Sequence, residues 1–431
     1  MTDELVTRLD GKTIGRLRQG ARGRVTFVYR EAWREAEDAY PLSLSMPLAA
    51  QEHGPNTVEA FIWGLLPDSG AVLERWAKKF QVSARNAFSL ISNVGEDCAG
   101  AVQFVRPERL EAIESGTQDD IEWLDDHGIA ERMRVLREDH AAWRLPHDAG
   151  QFSLAGAQPK TALLFENGRW GIPYGRIPTT HILKPPTGEF DGHAENEHVC
   201  LALARRFGLP VASSQVLHFE GEVAIAIERY DRRRLGNTII RVHQEDVCQA
   251  LGIPPTRKYQ NEGGPSATDI VALLRTQSSN GAMDVTTIVD ALVFSWLVAG
   301  TDAHAKNYSL LIASGPRIRL APLYDIASVL PYDRYDMRKL KLAMKIGGEY
   351  ELVNIVLRHW RRLAKEIRID EEELLARIRA MTAKLPDAIE AVRNEAREAG
   401  LQHALIDRLA ERLTERARDC RKQFDIANAC R

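Results

Sequence analysis

Residues 300–312 read GTDAHAKNYSLLI and set Asp302, His304, Lys306 and Asn307 within six residues at the end of a long apolar stretch. Polar groups at that density are costly to bury without partners, so the segment is either a solvated loop or a place where something polar binds. Asp302 and Asn307 are five residues apart, and another carboxylate, Asp325, closes the sequence LYD. Between them a hairpin is expected: YSLLIA, the turn Ser314-Gly315-Pro316, then RIRLAPLYD, with Asp325 at the end of its second strand. A hairpin folds its ends together, so Asn307 and Asp325 should meet at one mouth as two oxygen donors, the kind of ligand Mg2+ prefers. Asp302 is then available to accept or orient a hydroxyl proton. Phosphoryl transfer needs that division of labour; an N-capping Asp in a polar turn is the plainer alternative.

Protein kinases work in this way. A catalytic-loop Asp handles the substrate hydroxyl, while an Asn five residues later and a downstream Asp hold Mg2+. The spacing here is the same, although the motif is Thr-Asp-Ala-His rather than His-Arg-Asp. Such a site also requires a strand lysine for the nucleotide phosphates. HILK supplies Lys184, with Glu197 on the next expected helix as its partner and Glu195 as an equally placed neighbour. A strand-end surface lysine before Pro185 is the alternative. SLAGAQPK, residues 153–160, has the small residues that let backbone amides approach an anion. It is neither GxGxxG nor a Walker A sequence and reads equally as a tight turn. IERYD, residues 227–231, lies where the chain passes from a β-rich to a helical region, so the backbone of Glu228, Arg229 and Tyr230 is placed to meet an adenine edge.

The elements that must position these residues follow from periodicity. LVTRL, Asp10-Gly11, TIGRL and RVTFVY predict hairpin strands; PLSLSMPL predicts another strand. AVLERWAKKF and residues 121–143 predict helices. From Gln151 the pattern turns to strands again, through the Asn167-Gly168 turn, RWGIP and THILKPP, then a helix at AENEHVCLALARRFGL and strands at SSQVLHF and VAIAIERYD. Beyond Asp231, QEDVCQALG, ATDIVALLRTQ and VTTIVDALVFSWLVAG carry helical spacing, and residues 370–424 predict amphipathic surface helices. The expected organisation is a small α+β subdomain over residues 1–145, a β-rich lobe over 146–231 with Lys184, and a helical lobe over 232–431. Such a pair of lobes is one architecture that leaves a ligand cleft.

Composition narrows the function classes. At 431 residues, 44% hydrophobic and 27% charged, the chain is globular and too long for one ordinary core. A net charge of −3 argues against polyanion binding by bulk charge. Cys98, Cys200, Cys248, Cys420 and Cys430 are scattered without CxxC spacing, which predicts neither a disulfide framework nor a zinc site and suits a reducing cytosol. The N-terminus lacks an apolar signal region, and the apolar run at residues 291–300 is too short to span a bilayer; a cytoplasmic protein without a membrane partner is expected.

In combination, SLAGAQPKTALL, HILKPP, NEH, ERYDR, HQEDVCQALG, KYQNEGGP, TDAHAKNYSLL and LAPLYDIAS resemble the HipA-like serine/threonine kinases, the toxin halves of HipBA toxin–antitoxin modules, in the same order and over nearly the whole chain. The resemblance implies an α+β, bilobal protein-kinase-like fold with ATP and Mg2+ as cofactors. It implies that Asp302 is catalytic and that Asn307 and Asp325 are the metal ligands. Lys184 would contact the nucleotide phosphates; His304, Lys306 and Tyr324 would lie in the nucleotide-contacting runs. Ala155, Gly156, Ala157, Gln158 and Lys160 would form the phosphate loop, and Glu228, Arg229 and Tyr230 the adenine hinge. Ser153 is similar to the serine that family members autophosphorylate, and a phosphate of nearly two negative charges there would repel the nucleotide. Pro159 departs from the family pattern, which has an acidic residue at that place. The resemblance further implies a HipB-like helix-turn-helix antitoxin, operator DNA contacted mainly through it, and a protein substrate, which for some relatives is an aminoacyl-tRNA synthetase. The basic runs RRRL (232–235) and RMRVLR (132–137) are read as solvated faces rather than DNA contacts. Two other readings stay open: a small-molecule kinase acting on a sugar or lipid headgroup, and a catalytically silent scaffold or DNA-complex subunit.

Overall fold

Asp10 and Gly11 both take positive φ (44° and 80°), the backbone that a tight hairpin turn demands, and join β1 (Asp3–Leu9) to β2 (Lys12–Gln19). With β3 (Val25–Tyr29), β4 (Glu52–His53) and β5 (Val102–Val105) they make a five-stranded sheet ordered β4-β3-β2-β1-β5. In this computed structural model residues 3–145, 152–188, 190–236, 238–315 and 317–429 are described; Gln151, Pro316 and Cys430 lie outside them. A second sheet has the order β10-β11-β9-β7-β8-β6. Its strands are β6 (Ile121–Leu124), β7 (Thr161–Glu166), β8 (Arg169–Pro173), β9 (His181–Lys184), β10 (Ser214–Phe219) and β11 (Glu222–Glu228). A hairpin of β12 (Arg232–Leu235) and β13 (Thr238–Arg241) follows, then a three-stranded sheet of β14 (His243–Asp246), β15 (Ser309–Ala313) and β16 (Arg317–Leu320). A last pair, β17 (Lys341–Ile346) and β18 (Glu349–Glu351), is antiparallel.

The chain forms two compact units. The first comprises Met1–Pro185, Leu217–Arg257 and Ser309–Ala321; the second comprises Pro186–Val216, Lys258–Tyr308 and Pro322–Arg431. Expected boundaries near residues 145 and 232 fall inside the first unit for a physical reason. One apolar cluster runs from Leu5, Phe27 and Phe104 through α1 (Pro55–Leu65), α3 (Ala87–Val94) and Trp143 to Leu163, Leu183 and Ala226; α2 (Gly70–Phe80) contributes Val72 and Trp76. Strand β6, contributed from before residue 145, pairs with β8, so the N-terminal part is stitched into the second sheet.

Two expectations fail locally. Residues 121–124 begin a predicted helix but form β6; the helix α4 (Asp126–Glu138) starts only after the Asp125 side chain caps the Gly128 N–H. PLSLSMPL is not a strand. Its Ser43 pairs back on Met46 in an isolated bridge, while the Leu44 N–H donates to Glu245 (2.8 Å) and Ser45 Oγ donates to the Gln249 carbonyl (2.9 Å). Alternation suggests a strand there, but tertiary hydrogen bonds decide the conformation.

In the second unit, α5 (His193–Arg206), α6 (Ala267–Gln277), α7 (Gly281–Val298), α8 (Leu357–Glu366), α9 (Glu371–Glu398) and α10 (Ala404–Ala429) supply the core. Helix α7 is apolar all round: its 18 residues have the length and composition to cross a bilayer, more than the short run 291–300 suggested, yet it is 67% buried inside the unit and is a core helix. The amphipathic tail is more than a surface layer. Leu374, Leu375, Ile378, Leu385, Leu405, Leu409 and Leu413 are buried, and α9 packs on α5, α8 and α10.

The second sheet is anchored by a buried charge cluster. Asp97, between α3 and β5, faces three guanidiniums: Arg232 (2.8 Å), Arg241 (3.3 Å) and Arg229 (3.5 Å). Thr179 donates its hydroxyl (2.7 Å) and its N–H (3.1 Å) to the same carboxylate. Asp231 supplies a second negative charge, met by Arg229 (2.8 Å) and by the Gly100 N–H (2.6 Å). Burial alone would raise the Asp97 pKa, but Arg232, Arg229 and Arg241 hold it well below the usual carboxylate range. A depressed native pKa contributes stability that is fully present above the unfolded value of about 4 and is lost as pH falls through the native one. Asp97→Asn should therefore lower stability by about 3–5 kcal/mol at pH 7, because Arg241 loses its counter-charge and Arg229 and Arg232 are left to share Asp231. Denaturant melts measured from pH 7 to 3 should also show a shallower acid limb than the parent; equal stability at pH 7 would contradict the cluster's role.

Candidate active site

The turn that carries Asp302 begins where α7 ends. Ala299 takes the left-handed conformation (φ 51°) and the Gly300 N–H bonds back to the Ser295 carbonyl (2.8 Å). A non-glycine residue there costs about 1–2 kcal/mol. The chain then turns sharply on one atom. The Asp302 carbonyl accepts both the His304 N–H (2.8 Å) and Asn307 Nδ2 (2.9 Å). With its Nδ2 so engaged, the Asn307 amide is held in one orientation and Oδ1 is left as its acceptor face. The Asp302 side chain is exposed, whereas His304, Lys306 and Asn307 are buried.

Asp325 reaches this turn by another route than the one expected. Strand β16 stops at Leu320, and the ladder closes with Ala321 N–H to Ser309 O (2.8 Å), so Asp325 is not the end of a strand. The segment is placed instead by a bridge of Leu323 to Val211 and by Tyr324, whose hydroxyl donates to the Lys306 carbonyl (2.7 Å). Asp325 itself has φ 58°, a second left-handed non-glycine beside the same turn; such outliers cluster where function over-determines the backbone. His304 is close enough to Asp302 and Asp325 to feel both charges. Burial pulls its pKa below the ordinary value, with the Lys258 charge acting the same way and Asp302 and Asp325 opposing. Its Nδ1 is a buried nitrogen without a hydrogen-bond partner. A buried orphan of that kind fits a site completed by a ligand.

Among the described residues there is no cluster of three His, Cys, Asp or Glu side chains able to hold a metal alone. One Asn amide and one carboxylate suit Mg2+, which keeps waters and takes its remaining oxygens from a substrate phosphate. The donor set thus fits a metal that arrives with a nucleotide.

Most of the remaining expected residues belong to the first unit. Lys184 is buried at the end of β9, while Glu197, its expected partner, and the neighbouring Glu195 are buried on α5 in the second unit. Ser153 is fully buried. Its hydroxyl donates to the Leu65 carbonyl (2.7 Å) and its N–H to the Asp97 carbonyl (2.9 Å). Gly156 bridges Pro67 and accepts from Asp68 N–H (2.9 Å) with φ 99°, a conformation only glycine adopts easily. Ala155, Gly156, Ala157 and Gln158 face outward to differing degrees, and Lys160 closes the loop by donating to the Ala155 carbonyl (2.7 Å) over the Trp143 ring.

In the hinge, Arg229 is already engaged. Its N–H donates to Thr180 O (2.9 Å), its carbonyl accepts from Arg232 N–H (3.1 Å), and its side chain serves the Asp97 cluster. Glu228 pairs with His181 across β11 and β9, and the Tyr230 hydroxyl bonds to Gln244. Neither basic run is simply a solvated face: Arg232 and Arg132 are buried, while Arg134 and Arg137 pair with Glu222. Sequence reasoning missed Asp97, Arg241 and Tyr259. Tyr259 was visible within KYQNEGGP but was given no role; its hydroxyl donates to Asp302 Oδ1 (2.6 Å). Nothing in spacing marks Asp97, whose partners are 82 to 144 residues away.

Comparison with known proteins bears on both units. A HipA-like C-terminal domain is recognised over residues 152–389 and a HipA N-terminal domain over residues 5–105. Y4mE of Sinorhizobium fredii, a provisionally named kinase, is 37% identical over 417 residues, 95% of this chain and 96% of that protein. The serine/threonine-protein kinase toxin HipA of Shewanella oneidensis is 27% identical over 379 residues, covering 84% of this chain and 83% of its own. The solved structure of HipA with HipB and its operator DNA, from Shewanella oneidensis, matches 98% of both chains with a TM-score of 0.82 at 24% identity, which speaks to the fold. Because the two recognised domains and the Y4mE likeness together account for both units, the chain belongs to the HipA family of kinases.

Proposed function

We propose that this kinase is an ATP- and Mg2+-dependent serine/threonine protein kinase that acts in the cytoplasm as the toxin of a toxin–antitoxin pair. The observation that supports this most is the double hydrogen bond to the Asp302 carbonyl, which sets an exposed carboxylate beside Asn307, with Asp325 and the unpartnered His304 Nδ1 in the same neighbourhood. Asp302 accepts or orients the proton of the attacking hydroxyl. Asn307 Oδ1 and the Asp325 carboxylate hold Mg2+, which when bound supplies neutralisation of phosphate charge. His304, Lys306 and Tyr324 line the nucleotide-binding run. Lys184 carries positive charge to the phosphates, the backbone amides around Ala155, Gly156, Ala157 and Gln158 meet phosphate oxygens, and the backbone of Glu228 and Tyr230 meets the adenine. Arg229 holds the hinge in place through its buried side chain. The partners are a HipB-like helix-turn-helix antitoxin, operator DNA reached mainly through it, and a protein substrate whose phosphorylation arrests growth.

Incubation with ATP labelled at the γ-phosphate should place label on Ser153 only when Mg2+ is present, as read by mass spectrometry. Asp302→Ala should abolish the label while keeping the thermal shift given by ATP and Mg2+. Full labelling in that variant would remove Asp302 from the mechanism, and label confined to small molecules would favour a small-molecule kinase.

Ser153 acts as an off switch. A phosphate cannot occupy the site where the hydroxyl donates to Leu65 O, so the serine must leave its pocket to react and cannot return. Ser153→Glu should raise amide hydrogen exchange across residues 153–160 and remove the ATP thermal shift. Ser153→Ala, which loses one hydrogen bond, should cost about 1 kcal/mol and still bind ATP. A Ser153→Glu loop as protected as the parent's would contradict the switch.

A further inference from the structure

KYQNEGGP has no part in the roles assigned so far, yet it braces the catalytic turn. The Lys258 carbonyl accepts the Ala305 N–H (3.3 Å). Tyr259 sets its ring edge-on to the His304 imidazole, with centroids 5.0 Å apart, and its hydroxyl donates to Asp302 Oδ1 (2.6 Å). Tyr259 is itself held firmly. Its carbonyl accepts from Glu262 N–H (3.0 Å) and Gly264 N–H (2.9 Å), closing a tight turn through Gly263 at φ 86°. Gln260 Oε1 then accepts the Lys345 N–H (2.7 Å), which ties the turn to β17.

We propose that Tyr259 is a positioning residue for phosphoryl transfer: its phenol pins Oδ1 of Asp302 and thereby aims Oδ2 at the substrate hydroxyl. This inference rests on the kinase reading above. His304 and Asn307 fix the Asp302 main chain, because both bond its carbonyl. The carboxylate is exposed, and its terminal torsion is broad and roughly two-fold. A single phenolic donor on a rigid turn removes that freedom by occupying one oxygen only. Transfer between two oxygens demands near-attack geometry, so a carboxylate that wanders loses rate rather than nucleotide affinity.

Tyr259→Phe separates this role from packing, since the ring stays against His304 and only the hydroxyl is lost. In the full-length chain, the maximal rates of Ser153 labelling and of ATP hydrolysis should both fall on the order of tenfold. The KM for ATP should stay within about twofold and the melting temperature should not move, because ring packing is kept. Tyr259→Ala should lose rate and also melt earlier. Unchanged maximal rates in Tyr259→Phe would overturn the proposal, and raised rates would mean that the phenol blocks the hydroxyl's place. The kinase reading fails differently: the parent chain would transfer no phosphate, or Asp302→Ala would equal it, whatever Tyr259→Phe does.

Discussion

One carbonyl oxygen, that of Asp302, accepts hydrogen bonds from the His304 N–H and from Asn307 Nδ2, and the chemistry available to the second unit follows from it. The first bond tightens the chain immediately after Asp302. The second brings an amide five residues away back onto the same atom and fixes which of its ends faces outward. Neither bond uses the Asp302 carboxylate, which stays exposed. The left-handed backbone at Ala299 and Asp325 on either side is the strain that this compact arrangement carries.

The first unit uses charge differently. Its Asp97, Arg229, Asp231, Arg232 and Arg241 are buried together, and ion pairs of that kind seldom add net stability compared with apolar packing. Their effect is on geometry. Asp97 bonds the N–H of Ser153 through its backbone and Thr179, Arg229 and Arg232 through its side chain. The loop around residues 153–160 and the hinge around residues 228–232 are therefore referred to one residue.

How much of this was legible depended on how local the cause was. Asp10-Gly11, helix α7 and strands β15 and β16 were readable because turn chemistry and periodicity act over a few residues. Asp302, Asn307 and Asp325 stood out because their types and spacing match a known chemical task. The misreadings share a different cause. PLSLSMPL alternates like a strand but is held by Glu245 and Gln249, some 200 residues on. Arg232 looks like one of a basic surface run, yet it is the member that turns inward to Asp97. The place of Asp325 was inferred from a hairpin that ends earlier than the sequence suggests, and Tyr324 does the positioning instead. In each case a long-range polar contact, invisible to periodicity, overrode the local pattern.

The central claim is that the amide of Asn307 and the carboxylate of Asp325 share one divalent ion that arrives with a nucleotide. Its most direct test is a crystal structure of the chain with Mg2+ and a non-hydrolysable ATP analogue. The account predicts that Asn307 Oδ1 and an Asp325 oxygen would both be ligands of the ion. A nucleotide bound away from both residues, or an ion ligated by neither, would contradict it.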